Sequence, residues 1–176
     1  MDQLTELLHR ATEQVAPQYF QIEIDGGDPV YRERVYCYEL YHQLRCHWPT
    51  DTQFYLNGEL DKAAHPILRT LGADYAKPDL LIHQPGCMAG NNTIIEVKSS
   101  NAQRDGIEKD LRTLALFRTK VKYDRAIYLL FGRQALAAAE RVRSVSTELG
   151  SLPSIELWVH TAPGAPAEKV AFGADA

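Results

Sequence analysis

The chain has 176 residues, of which 45% are hydrophobic and 24% are charged, and its formal net charge at pH 7 is −4. This composition is typical of a soluble globular domain, and the acidic balance argues against a protein that coats nucleic acid through charge alone. The three cysteines form no metal-type pair, and their odd number suits reduced thiols. Because the sequence shows neither a signal peptide nor an apolar window of membrane-spanning length, we predict a cytoplasmic protein with no membrane partner.

Two amphipathic helices are predicted in the first third of the chain. Apolar residues recur at helical spacing over residues 3–16 and again over residues 30–48. Residues 18–24 alternate as a strand does, and residues 25–29 are rich in turn formers. The second helix has an apolar stripe formed by Cys37, Leu40, Tyr41 and Leu44.

The middle of the chain predicts three strands. Residues 53–57 form the first, and a short helix over residues 63–71 follows. Residues 77–83 and 93–98 are two apolar runs joined by a segment rich in turn residues, which is the pattern of a hairpin. The three strands are therefore expected to precede the next long helix.

Three charged side chains stand on this hairpin where apolar ones are expected. Side chains alternate along a strand, so Glu96 and Lys98 share one face, and antiparallel pairing brings Asp79 near Glu96. Two carboxylates beside an ammonium predict a site for a hard divalent cation such as Mg²⁺. The alternative is a solvated ion pair between Glu96 and Lys98 on an exposed edge strand, with Asp79 as a turn residue.

The last part of the chain predicts alternating helices and strands. A helix runs from about residue 101 to residue 122, followed by a buried strand over residues 124–132 that has the continuous apolar character of a parallel strand. A helix over residues 134–149 and a strand over residues 155–159 complete the pattern. The final segment is expected to form a loose tail, in which residues 169–172 either add a short strand or stay disordered.

The first of these helices carries a local positive excess. Residues 104–125 contain seven basic and four acidic side chains in an otherwise acidic protein. We therefore predict that nucleic-acid phosphates contact Arg104, Lys109 and Arg112. The alternative is a solvated helix face on which Glu108 and Arg112 pair one turn apart.

The pair Pro78-Asp79, followed by Glu96-Val97-Lys98, resembles the signature of the PD-(D/E)XK nuclease superfamily. The order of predicted elements over residues 30–131 is similar to its α-β-β-β-α-β core. The resemblance implies an α/β, restriction endonuclease-like fold with a central mixed sheet flanked by helices. We expect one such domain over residues 1–160 and a flexible C-terminal tail over residues 161–176.

The resemblance also implies an activity, which is divalent-metal-dependent hydrolysis of phosphodiester bonds, with DNA as the preferred substrate. Asp79, Glu96 and the carbonyl of Val97 would bind Mg²⁺, or Mn²⁺ as a substitute. Glu39 of the preceding helix, which we choose over Glu33, would assist the metal. Lys98 would position the attacking water.

An endonuclease that cuts both strands needs two sites, which favours a homodimer. Two alternatives remain at the level of sequence. One is a catalytically inactive member of the superfamily that serves as a binding or assembly module. The other is a small α/β protein in which the motif is a coincidence.

Overall fold

The computed structural model describes residues 3–59, 66–72 and 75–172 of the chain. A six-stranded mixed sheet with helices on both faces forms its centre, and a separate two-stranded hairpin accompanies it. The predicted α/β class, with a mixed sheet flanked by helices, is confirmed. Among the described residues, no helix combines the length and the apolar character that crossing a lipid bilayer requires.

The strands are numbered in chain order. The hairpin consists of β1 (Ile22–Ile24) and β2 (Gly27–Val30). The sheet contains, in spatial order, β3 (Tyr55–Gly58), β4 (Leu80–His83), β5 (Asn91–Ser99), β6 (Arg125–Phe131), β7 (Glu156–His160) and β8 (Glu168–Val170). The β5/β6 and β6/β7 pairs are parallel, and the three other neighbouring pairs are antiparallel.

The helices form a layer on each face of the sheet. They are α1 (Gln3–Glu13), α2 (Pro17–Phe20), α3 (Glu33–Cys46), α4 (Pro66–Thr70), α5 (Arg104–Leu116) and α6 (Ala135–Leu149). A 3₁₀ turn (Met88–Gly90) precedes β5, and α5 continues into a π-helical turn (Phe117–Val121). Helices α1 to α3 pack on one face of the sheet, and α5 and α6 pack on the other.

The alternation of side chains along β5 decides which layer each residue meets. Ile95 and Val97 are buried in the core that contains α1 to α3. Ile94 is buried in the core that contains α5 and α6, so Glu96 and Lys98 point into that layer as well. Two charged side chains therefore face the interior between β5 and α5, not a solvated edge.

The ring of His160 is buried on the α3 face of the sheet, where it is 0% exposed. Its Nε2 donates to the carbonyl of Ala162 at 2.9 Å, so its Nδ1 accepts from the hydroxyl of Tyr36 at 2.6 Å. Burial lowers the pKa of His160 to about 4, which keeps the ring neutral. We call this set the His160 network.

Two segments differ from the sequence prediction near the N terminus. Residues 18–24 were expected to form one strand, but Pro17–Phe20 form a helical turn before β1 begins. Proline is pre-organised for the first helical position, and the turn buries Phe20 in the core. Residues 27–29, expected to be a loop, and Val30, expected to begin the second helix, pair with β1 across a turn in which Gly26 has a φ of 73°.

The C-terminal segment follows one of the two alternatives left open by the sequence. Residues 161–176 were expected to form a flexible tail in which residues 169–172 either add a short strand or stay disordered. The strand is present, because Glu168–Val170 pair antiparallel with β7. The amide of Ala167 donates to the buried hydroxyl of Thr12 at 2.8 Å, which ties the segment to α1. Residues 173–176 lie outside the described part, as do residues 63–65 of the predicted short helix, whose described portion is α4.

Candidate functional site

The hairpin of β4 and β5 brings the two predicted carboxyl groups together. Leu80 pairs with Ile95 in an antiparallel register, so Asp79, one residue earlier, lies opposite Glu96. The predicted antiparallel pairing is confirmed. The Asp79 Oδ2 atom accepts a hydrogen bond from the amide of Val97 at 2.7 Å, which fixes its carboxyl group against β5.

Asp79 and Glu96 form a hydrogen-bonded carboxyl pair. The Glu96 residue is only 5% exposed, and burial, followed by the charges of Asp110 and Asp79, raises its pKa well above the ordinary value. Burial also raises the pKa of Asp79, although the Val97 amide and the Lys98 ammonium partly offset this. Two carboxyl groups share a hydrogen bond only when one of them is protonated, and the stronger rise in pKa favours the neutral form of Glu96.

Lys98 lies beside this pair and is held from two sides. Its Nζ atom is 3.1 Å from Oε2 of Glu33 and 3.0 Å from Oδ2 of Asp110, and its side chain is 18% exposed. Burial lowers the pKa of Lys98, but Asp110, Glu33 and Asp79 more than reverse that effect, so its pKa is raised. The ammonium group therefore keeps its charge.

Glu33 takes the place that the sequence analysis gave to Glu39. Glu33 begins α3, and its Oε1 accepts a hydrogen bond from the Ser99 amide at 3.2 Å while its Oε2 meets Lys98. Glu39 instead accepts a hydrogen bond from Gln43 on its own helix at 2.7 Å. At about 100° per residue, two positions six apart cannot face the same way.

Asp110 is a site residue that the sequence analysis missed. Its carboxyl group, 4% exposed, reaches Lys98 from α5. Burial raises the pKa of Asp110 to about 6 despite the nearby ammonium of Lys98. The signal was present in the sequence, because Asp110 lies three residues after Ile107 and four before Leu114, on the buried stripe of the helix.

Tyr128 of β6 completes the buried polar cluster. It is the register partner of Glu96 and is fully buried, but its hydroxyl has no hydrogen-bond partner among the described residues. Burial raises the pKa of Tyr128 well above the ordinary value, and Asp110, Glu33 and Glu96 add to the effect. An unpaired buried hydroxyl typically costs about 1–3 kcal/mol. We refer to Asp79, Glu96, Lys98, Glu33, Asp110 and Tyr128 as the acid cluster.

The donor chemistry of the acid cluster suits a hard divalent cation. Asp79 and Glu96 offer carboxyl oxygens and Val97 offers a carbonyl oxygen, which are the ligand types that Mg²⁺ prefers. Among the described residues, however, no group of three or more His, Cys, Asp or Glu side chains is arranged to bind a metal ion. A cation here would therefore keep several water molecules, as Mg²⁺ usually does.

The cationic side chains predicted to contact phosphates are largely paired with carboxylates. Arg104 donates to Glu148 of α6, with Nη1 and Oε1 3.0 Å apart. Arg112 donates to Glu108 one turn earlier at 2.8 Å, which is the alternative that the sequence left open. Lys109 lines a shallow cleft that also has acidic residues in its wall. Two of the three predicted phosphate contacts, Arg104 and Arg112, are thus paired with carboxylates.

Comparison with known proteins gives no match. No protein-family model matches the chain, and neither a curated protein nor a solved structure matches it. The resemblance to the PD-(D/E)XK superfamily therefore stays a prediction from the sequence motif. A functional assignment has to come from the geometry of the acid cluster itself.

Proposed function

We propose that the chain is a divalent-metal-dependent nuclease with a restriction endonuclease-like core, and that it hydrolyses phosphodiester bonds of DNA. The observation that carries this proposal is the convergence of Asp79, Glu96 and Lys98 in one buried cluster. The two carboxyl groups are hydrogen-bonded, and the amine is turned inward beside them.

The energetics of the cluster support a chemical role. Four acidic side chains and one lysine lie together, Glu96 and Asp110 among them are buried, and the pKa of Glu96 and that of Asp79 are both raised. Buried charges without full compensation destabilise a fold, and apolar side chains of similar volume in their place would make it more stable. Strongly perturbed carboxyl groups of this kind concentrate at functional sites.

The order of elements is consistent with the proposed core. Helix α3, strands β3, β4 and β5, helix α5 and strand β6 follow one another as helix, three strands, helix and strand, with the short α4 inserted. The parallel pairing of β5 with β6 adds the mixed character of the sheet. In this proposal the residues of the signature occupy β5 and the two positions just before β4.

The residues take distinct roles in the proposed reaction. Asp79, Glu96 and the Val97 carbonyl would bind Mg²⁺, or Mn²⁺ in its place. When bound, the cation polarises the scissile phosphate and lowers the pKa of a water molecule. Lys98, kept charged by its acidic neighbours, orients the attacking water and offsets the negative charge that develops on the phosphate. Glu33 holds the amine in position.

The proposal is tested by metal-dependent nicking of supercoiled plasmid DNA. We expect the parent protein to nick DNA in Mg²⁺ and to stop when EDTA is added. Asp79→Ala and Lys98→Ala should each lower the rate by about 100-fold or more, because each removes a charge at the reacting phosphate. Asp51→Ala and Lys120→Ala are matched controls on exposed positions and should cut as the parent does.

Equal nicking by the parent, Asp79→Ala and Lys98→Ala preparations would expose a contaminating nuclease and refute the proposal. A folded parent protein that cuts neither DNA nor RNA in Mg²⁺ or Mn²⁺ would also refute it. Sedimentation of the active protein tests the homodimer that cutting both strands calls for.

A second candidate function is a catalytically inactive binding module with the same core. The observation that favours it is the pairing of Lys98 with both Glu33 and Asp110, which leaves the ammonium fully engaged. A module of this kind binds DNA equally well as parent and as Asp79→Ala, and cuts in neither form. The nicking assay and a binding assay together separate the two functions.

A further inference from the structure

A cleft of about 410 Å³ opens directly beside Asp79. Helix α3 forms one wall with Tyr38 and Tyr41, and the end of β3 forms the other with Asn57 and the adjoining Glu59. Sites for small organic ligands usually measure roughly 300–1,000 Å³, so the cleft has room for a group about the size of one nucleotide. Asp79 is the member of the acid cluster that lines this cleft.

The aromatic wall of the cleft is unusual for a surface helix. Tyr38 is 60% exposed, and its hydroxyl has no hydrogen-bond partner among the described residues. Tyr41, three residues later on the same side of α3, is half-buried and donates to the carbonyl of Leu56 at 3.4 Å. The ring of Tyr41 is thus anchored to the fold, while the ring of Tyr38 is presented to a ligand.

Two arginines extend this wall in both directions. Arg34 lies one turn before Tyr38, and Arg45 lies one turn after Tyr41, so the four residues share one side of α3. The Arg34 side chain is 70% exposed and meets Glu59 at 3.3 Å, and such surface pairs are weak enough for a phosphate to replace the carboxylate. We call Arg34, Tyr38, Tyr41 and Arg45 the α3 stripe.

We infer that the α3 stripe binds an unpaired nucleic-acid strand, with one base stacked on the ring of Tyr38 and the backbone phosphates near Arg34 and Arg45. The inference rests on the proposed function for the identity of the ligand. Bases in a duplex already stack on one another, whereas an unpaired strand offers free base faces to an exposed aromatic ring. The strand then passes along the cleft and presents its next phosphodiester to Asp79.

The charge of the protein is consistent with this local mode of binding. A net charge of −4 gives no general attraction for a polyanion, so affinity has to come from particular contacts. Stacking on an aromatic ring is such a contact, and it does not depend on sequence. The substrate class is therefore single-stranded nucleic acid, or a duplex with an unpaired end or flap.

The test is fluorescence anisotropy with labelled oligothymidine and with a blunt duplex of equal length, at low salt and with EDTA to prevent metal-dependent cleavage. We expect the parent to bind the single strand about tenfold more tightly than the duplex. Tyr38→Leu should weaken binding of the single strand by about fivefold or more, because it removes the stacking surface. Tyr38→Phe keeps the ring and should bind within about twofold of the parent.

Tyr19→Leu is the matched control, since Tyr19 is 40% exposed on α2 and lies outside the cleft. Unchanged binding of the single strand by Tyr38→Leu, or equal affinity of the parent for both oligonucleotides, would overturn the inference. If the parent cuts plasmid DNA while Tyr38→Leu binds oligothymidine normally, the nuclease proposal holds and the inference about the α3 stripe is wrong. If binding depends on Tyr38 but the parent cuts no DNA, the α3 stripe binds nucleic acid and the nuclease proposal is wrong.

Discussion

The two faces of the central sheet both bury polar side chains, but they treat them in opposite ways. On the α3 face, both ring nitrogens of His160 are hydrogen-bonded and the ring is neutral. On the α5 face, Asp79 and Glu96 share a hydrogen bond that requires a proton, and the hydroxyl of Tyr128 has no described partner. One set of buried polar atoms is satisfied, and the other is under electrostatic strain.

This difference is our basis for assigning one set to the stability of the fold and, in the proposed nuclease, the other set to catalysis. A buried polar network whose members are all paired stabilises and specifies the packing around it. A cluster of mutually repelling acids lowers stability, and such a cost is expected where a cation or a substrate will supply the missing charge. Substitutions on the two faces should therefore have opposite effects on stability and activity.

The largest expected effect is that of Glu96→Gln on the α5 face. We expect DNA nicking to fall by about 100-fold or more, equivalent to about 3 kcal/mol of transition-state stabilisation. The free energy of unfolding should stay the same or rise, because the amide needs no proton to share a hydrogen bond with Asp79. Nicking rates and urea denaturation measure the two quantities.

Glu23→Gln provides the control for Glu96→Gln, since Glu23 is an exposed glutamate of β1. A Glu96→Gln protein that is less stable yet fully active would reverse the roles assigned to the two faces.

The next effect is the response of the His160 network to acid. The pKa of His160 is lowered from 6.5 to about 4 in the fold, so the unfolded chain binds the proton first as the pH falls. The contribution of His160 is complete above pH 6.5 and declines as the pH falls toward 4, by about 3 kcal/mol in total.

The His160 contribution is isolated by comparing urea denaturation of the parent and His160→Gln across this pH range. The acidic groups of the α5 face titrate in both proteins, so their contributions cancel in the difference. We expect the stability difference between the two proteins to fall with decreasing pH. Parallel pH profiles would show that the protonation of His160 is not linked to folding.

A smaller effect on stability is expected for two buried tyrosines, of which one has a hydrogen-bonded hydroxyl and the other has no described partner. Tyr36→Phe removes the hydroxyl that donates to His160 and should lower the free energy of unfolding by about 1–3 kcal/mol. Its ring stacks on Phe131 with the centroids 3.9 Å apart, and that contact is kept. Tyr128→Phe removes an unpaired hydroxyl and should cause no loss. Equal losses in the two variants would contradict the distinction between the faces.

The smallest effect is stabilisation of the parent by Mg²⁺. A cation that binds the folded protein at ten times its dissociation constant raises the free energy of unfolding by about 1.4 kcal/mol. We expect a higher melting temperature in Mg²⁺ for the parent, and no change for Asp79→Ala. Calorimetry at several Mg²⁺ concentrations measures this. Equal stabilisation of both proteins would place the bound cation outside the acid cluster.

The sheet and its hairpin could be predicted from sequence because their signals are local. Apolar runs at residues 77–83 and 93–98, separated by turn residues, specify two strands and their antiparallel pairing. The continuous apolar run of β6 likewise indicated a parallel strand covered on both faces. From these signals alone, the approach of Asp79 to Glu96 follows.

The helical members of the cluster were harder to predict because helix phase is set by packing. The sequence analysis chose Glu39 over Glu33. In the structure, Glu39 lies on the side of α3 that faces Gln43, and Glu33 is the glutamate that contacts Lys98. Asp110 was overlooked because a carboxylate amid apolar residues is readily assigned to a solvated flank. Both acids continue the apolar stripe of their helix, since Glu33 lies one turn before Cys37 and Asp110 lies between Ile107 and Leu114.

The remaining differences arise from long-range contacts. The strand β8 is only three residues long, and it is held by β7 and by the bond of Ala167 to Thr12 on α1. Partners so far apart in sequence leave no periodic signal in the segment itself. A short, polar C-terminal stretch therefore resembles a tail until the rest of the fold is known.

Lys98 is contacted by carboxylates from both helical layers of the protein. Glu33 reaches the amine from the α3 layer and Asp110 reaches it from the α5 layer. With only one of these layers packed on the sheet, a single acid would contact the amine. The position of the amine that we propose to act in catalysis therefore depends on both helical layers at once.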